Sequence, residues 1–107
     1  DIFMPLRWTS ILSPKLRCQI SASGGVYTGT DVVKLLLAGA STVQVVSTLY
    51  KNGIEHITTM NDELKQWMER NNYNSINDFR GSMSIKSSKN ASQFERIHFM
   101  KYFSEIN

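Results

Sequence analysis

At 107 residues the chain holds one domain at most, and 41% hydrophobic with 20% charged residues is the balance of a folded segment, not a disordered one. No apolar run approaches the ~20 residues of a membrane-spanning helix, and the N-terminus lacks a signal-peptide layout, which argues against a membrane. A net charge of +3, with Lys and Arg scattered along the chain, argues against nucleic acid as a partner. The single cysteine, Cys18, excludes a disulfide framework and a cysteine metal set, and a reducing cytoplasm fits best.

In chain order, Pro5 stands where a first helical turn tolerates it, with apolar residues at Met4, Trp8, Ile11 and Leu12. This predicts a short helix ending near Ser13 and Pro14. Residues 16–20 form an apolar-leaning run, read as a strand, which Ser23, Gly24 and Gly25 interrupt. A helix over about residues 30–38 follows, with Asp31 in its first turn, Gly39 just past its end, and Val32, Val33, Leu35, Leu36 and Leu37 between them. Residues 42–46 make a second β-rich run, closed by Ser47 and Thr48. The span from Leu16 to Val46 is 31 residues, and one strand–helix–strand crossover needs about 30.

From Gly53 to Arg70 the pattern is amphipathic, with Ile54, Ile57, Met60, Leu64, Trp67 and Met68 at helical spacing. Asn71 and Asn72 end it. Ser75 and Asp78 have the spacing of a capping box, opening a single turn that stops at Arg80 and Gly81. Residues 82–90 read as a loop. Asn90 with Gln93 would cap a last helix whose Phe94, Ile97, Met100 and Phe103 form a stripe. Two parallel strands cannot hide both of their faces, so the expectation is the C-terminal part of something larger.

A crossover makes its strands parallel, so the turns at Gly24–Gly25 and Ser47–Thr48 leave the same sheet edge. Glycines allow a sharp turn and close ligand approach, and unpaired N–H groups there bind anions without a Lys or Arg. In eight-stranded α/β barrels the phosphate site commonly follows strands seven and eight. A lone Gly-Gly would favour a plain strand-to-helix connection. Its pairing with Ser47–Thr48 one strand later favours a phosphate.

The run Ser21-Ala22-Ser23-Gly24-Gly25-Val26-Tyr27-Thr28-Gly29-Thr30-Asp31-Val32, then Leu37-Ala38-Gly39-Ala40-Ser41-Thr42-Val43-Gln44-Val45, resembles the end of the class 1 dihydroorotate dehydrogenases. The similarity continues through Leu49-Tyr50-Lys51-Asn52-Gly53 and Asn72-Tyr73-Asn74-Ser75-Ile76-Asn77-Asp78-Phe79-Arg80-Gly81, covering roughly residues 16–81. The flanks, Pro5-Leu6-Arg7-Trp8 and Gly81-Ser82-Met83-Ser84 through Phe94-Glu95-Arg96 to Met100, look like the bacterial dihydroorotate dehydrogenase-like branch. The resemblance implies an α/β fold: the last two parallel strands of a TIM barrel with their helices, over residues 1–81. Residues 82–107 would be a helical C-terminal extension packing on the barrel or on another subunit.

The resemblance further implies FMN as cofactor, its phosphate gripped by Ser23, Gly24, Gly25, Val46 and Ser47. Ser23 stands where a Thr is common, Val46 where the family has Gly, and Ser47 where it has Thr. The implied chemistry removes a proton and a hydride from a dihydropyrimidine, with FMN taking the hydride and an upstream side chain the proton. The implied partners are the rest of the barrel and a small-molecule substrate. No catalytic residue falls on this chain, and the substrate's identity does not follow from it. The alternatives are a barrel with another phosphorylated ligand, or a non-catalytic assembly module.

Other residues have plain readings. Cys18 is expected as a packed thiol in a buried strand, and Trp67 and Met68 as packing residues. Asp31 and Glu55 suit helix starts, and Arg80 suits pairing with a carboxylate. His56 falls on the polar side of its helix and His98 in the last one, neither with partners at metal-ligand spacing. The sequon at Asn90 carries no meaning without a secretory signal.

Overall fold

The computed structural model describes residues 1–85, in the order α1 (Phe3–Leu12), β1 (Ser21–Ala22), α2 (Gly29–Ala38), β2 (Thr42–Val43), α3 (Ser47–Asn52), α4 (His56–Arg70) and a 3-10 turn over Ile76–Asp78. The last predicted helix, its stripe, His98 and the Asn90 sequon lie outside the described residues. No helix among the described residues is long and apolar enough to cross a membrane.

α2 is the centre of the packing. Thr28 caps it by accepting from the Asp31 amide at 3.1 Å, while the Asp31 carboxylate accepts from the Thr28 amide at 3.2 Å. At the other end Gly39 takes φ +119, its N–H reaching Leu36 O and the Ala40 N–H reaching Leu35 O at 3.0 Å. Between these caps Val33, Leu35, Leu36, Leu37 and Ala38 are buried on all sides. α1 covers one flank and α4 another. Where α2 meets α4 only a glycine fits, since a Cβ on Gly29 would lie 2.6 Å from Met60 O. In that gap the Gly29 N–H donates to Glu63 Oε1 at 3.1 Å.

β1 and β2 pair in parallel with Ser21 opposite Thr42 and Ala22 opposite Val43. Ile20 O accepts from the Ser41 N–H at 2.8 Å and the Thr42 N–H at 3.3 Å, and Ala22 O from the Gln44 N–H at 2.8 Å. The predicted crossover is present, but β1 starts later than expected and both strands are shorter. Residues 16–20 are bends and coil, because α1 runs into a turn that reaches Leu16, whose N–H bonds Leu12 O at 2.9 Å. Ser13 Oγ donates to Ala38 O at 2.9 Å and ties that turn to the end of α2. Cys18 is exposed, correcting the expectation of a packed thiol.

The amphipathic run also begins later than its pattern suggested. Gly53 takes φ +82, ends α3 and separates it from α4, so Ile54 precedes the helix and is 70% exposed. Met60 and Trp67 are buried, and Leu64 and Met68 pack against the core. Trp67, Tyr73 and Phe79 stack as a triad with ring centroids 5.0 to 5.6 Å apart. The capping box at Ser75 and Asp78 forms as predicted and delivers Phe79, fully buried, into that triad. Among the described residues Arg80 pairs with no carboxylate. Its Nε donates to Ala40 O at 3.0 Å, and its other nitrogens to Ser41 O and the Asn77 side chain. The carbonyls left bare by the turn out of α2 supply what a carboxylate would have. Beyond the turn, the Gly81 and Met83 N–H groups bond Leu36 O and Leu37 O at 2.9 Å, and Ile85 joins the core.

Among the described residues no further strand pairs with either outer edge of the sheet. A cleft of about 510 Å³ runs beside β1, lined by Met4, Trp8, Leu12, Leu16 and Cys18 among others. A second, of about 360 Å³, is lined by Val43, Val45, Ile57, Met60 and Leu64 among others.

Phe79→Ala removes the ring on which the aromatic triad closes and should cost about 3–5 kcal/mol of stability, the range for emptying a buried aromatic site. Urea denaturation followed by Trp67 fluorescence measures it, and a loss under about 1 kcal/mol would show that the triad is not part of the core.

Candidate functional site

The sequence-predicted site residues gather on one edge of the sheet, as parallel pairing requires. Ser23, Gly24 and Gly25 follow β1, while Val46 and Ser47 lie between β2 and α3. Gly24 takes φ +100 and Gly25 φ +71, a left-handed pair that turns the chain within two residues and that side chains disfavour. The amides of Ser23, Gly24 and Gly25 meet no acceptor among the described residues. Ser23, Gly24, Val46 and Ser47 are exposed. Ser47 is the first residue of α3, where N–H groups have no partner within the helix.

Two details refine the expectation. Val46 takes φ −129, outside the left-handed region that favours glycine, so the turn requires no Gly there. Gly25, in contrast, is needed inside the protein itself. A Cβ there would lie 2.8 Å from the Asp1 Cα and closer still to the Asp1 carbonyl. The main chain of Asp1 therefore covers one face of Gly25. The Asp1 carboxylate turns the other way, accepting from the Phe3 N–H at 2.8 Å.

Three residues around the loop were not singled out for the site by sequence. The Tyr27 N–H donates to Asp31 Oδ2 at 2.9 Å, and His56 Nε2 lies 2.9 Å from Tyr27 O. Lys51 Nζ sits 5.6 Å from the centroid of the Tyr27 ring. Their separation in sequence, 29 residues between Tyr27 and His56, leaves no local pattern to read. Among the described residues no three His, Cys, Asp or Glu side chains are placed to hold a metal ion. The arrangement can present main-chain donors and the hydroxyls of Ser23 and Ser47 to an anion. It contains no nucleophile–base pair.

A model of the dihydroorotate dehydrogenase family matches residues 10–68, more than half of the chain. The chain belongs to the dihydroorotate dehydrogenase family. It is 43% identical over 72 residues to a probable dihydroorotate dehydrogenase A (fumarate) of Streptococcus pneumoniae, covering 67% of this chain and 22% of that protein. Over 73 residues it is 38% identical to dihydroorotate dehydrogenase (fumarate) of Lachancea kluyveri, covering 68% of this chain and 23% of the relative. Over 62 residues it is 40% identical to the chloroplastic dihydropyrimidine dehydrogenase (NADP(+)) of Arabidopsis thaliana, covering 58% and 15% respectively. The chain thus spans about a fifth of the length of the dihydroorotate dehydrogenases it matches.

The exposed Cys18 gives a direct check on this fold. A chromogenic disulfide reagent should titrate one thiol in the native 107-residue chain, without denaturant. A thiol that reacts only after unfolding would place residues 16–20 in a packed strand after all.

Proposed function

We propose that this chain is the phosphate-gripping end of an FMN-dependent oxidoreductase of the dihydroorotate dehydrogenase kind, which converts dihydroorotate to orotate. β1 and β2 serve as the last two strands of a TIM barrel, and the open clefts on both edges receive its remaining strands and helices. The observation that carries the reading is the pair of amide rows with no acceptor among the described residues: Ser23, Gly24 and Gly25 after one strand, Val46 and Ser47 after its parallel neighbour. Such donors are fixed before the ligand arrives, so a phosphate dianion meets them with little reorganisation. The residues fit the group on a second ground, since the Asp1 carboxylate is bonded to the Phe3 amide and the Tyr27 ring beside the loop carries Lys51.

FMN, when bound, supplies the acceptor for the hydride. The residues here bind and orient: Gly24 and Gly25 aim their N–H groups by left-handed turns, and Ser47 adds its hydroxyl to its amide. They move no proton. The relatives support that division of labour. Proteins named for fumarate and for NADP(+), and for dihydroorotate and dihydropyrimidine, share this segment at 38–43% identity. A segment that close across different substrates and acceptors fits a task they have in common.

Ser47→Asp is the cleanest test, because Gly25 substitutions would collide with Asp1 whatever binds there. An acidic residue suits the first turn of a helix, so α3 should remain. A carboxylate beside the phosphate should weaken FMN binding about tenfold or more, by repulsion between like charges at close range. Ser47→Ala keeps the main-chain donor and should cost only about two- to threefold. Flavin fluorescence titration reads both, with riboflavin, which lacks the phosphate, as the control. Equal FMN affinity in the wild type and Ser47→Asp would remove the head of α3 from the site.

A further inference from the structure

Tyr27 joins the two halves of the cradle. It lies two residues beyond Gly25, and three elements hold it: Asp31 of α2 takes its N–H, His56 of α4 faces its carbonyl, and Lys51 of α3 covers its ring. A carbonyl oxygen only accepts, so His56 Nε2 carries the hydrogen of this bond.

The consequence lies in what remains free between fixed points. Ala22 O is held by the Gln44 N–H at 2.8 Å, and the Tyr27 peptide is the next anchored group. Between them run Ser23, Gly24, Gly25 and Val26. Two glycines in so short a span have a wide choice of backbone conformation, and each unfixed residue costs entropy when a ligand orders it. His56 removes that freedom from the far side. It does so from α4, which is separated from α3 only by Gly53, Ile54 and Glu55. The α3–α4 unit that presents the Ser47 amide therefore also holds the Gly24–Gly25 loop in place.

We propose that His56 is a positioning residue: through the Tyr27 carbonyl it sets the spacing of the two donor rows. The proposal rests on the phosphate reading above and adds to it a residue that touches no ligand. Lys51 acts from the same side, its ammonium over the ring worth less than the bond because both groups are near solvent.

The test compares His56→Ala with His56→Gln, whose amide can donate to the same carbonyl. In ligand-free 15N–1H spectra of the whole protein that carries this segment, His56→Ala should shift and broaden the Gly24 and Gly25 amides, and His56→Gln should largely restore them. FMN affinity should fall about fivefold in His56→Ala, the equivalent of one hydrogen bond, and recover in His56→Gln. Phe79→Leu, which destabilises the fold from the far side, should leave affinity and the glycine amides unchanged at temperatures where it is folded. Unchanged Gly24 and Gly25 amides in His56→Ala would overturn the inference, as would an equal fall in affinity for Phe79→Leu. A wild type that binds neither FMN nor inorganic phosphate would instead sink the phosphate reading, whatever the glycine amides of His56→Ala show.

Discussion

Two strands lying side by side in the same direction cannot be joined by a hairpin, and this constraint shapes the whole chain. Ser21 pairs with Thr42 and Ala22 with Val43, so the chain must return across the sheet between them, and α2 makes that return. The return buries α2, which explains why Val33, Leu35, Leu36 and Leu37 leave it almost no polar face. It also sends both strands out at one edge. Ser23–Gly25 and Val46–Ser47 are neighbours for that reason, although about twenty residues lie between them in sequence.

Signals that act through the backbone within a few residues were legible in the sequence. The Asp31 start and Gly39 stop of α2, the capping box at Ser75 and Asp78, and the sharp turn at Gly24–Gly25 each depend on local hydrogen bonds or dihedral freedom. Strand limits were not, because a residue counts as strand only where a partner lies opposite. Leu16 and Arg17 have β-compatible company but no partner, and the turn that continues α1 claims Leu16. The break at Gly53 was hidden by Ile54, whose spacing suited the stripe though its position precedes the helix. Arg80 illustrates the same limit. Nothing local says that the bare carbonyls of Ala40 and Ser41, some forty residues back, will be its acceptors.

The candidate site divides along the same line. Its glycines and hydroxyls announce themselves, since donors and left-handed turns are properties of single residues. What holds them does not. His56, Lys51 and Asp31 reach Tyr27 from three helices, and only the fold brings them together. A polar histidine at the start of an amphipathic helix looks like solvent-facing decoration until the carbonyl opposite it is known.

The two donor rows are also built on different physics, which bears on how the proposed cradle responds to change. The first depends on backbone freedom: Gly24 and Gly25 at φ +100 and +71 are conformations that Cβ-bearing residues reach only under strain. The second depends on position at a helix head, where Val46 at φ −129 shows that no glycine is required. Uncharged substitutions should therefore be tolerated at Val46 and Ser47 so long as an N–H remains, and a side chain refused at Gly25, where Asp1 already fills the space it would need. Gly24 and Gly25 thus form the strict row, and Val46 and Ser47 the tolerant one.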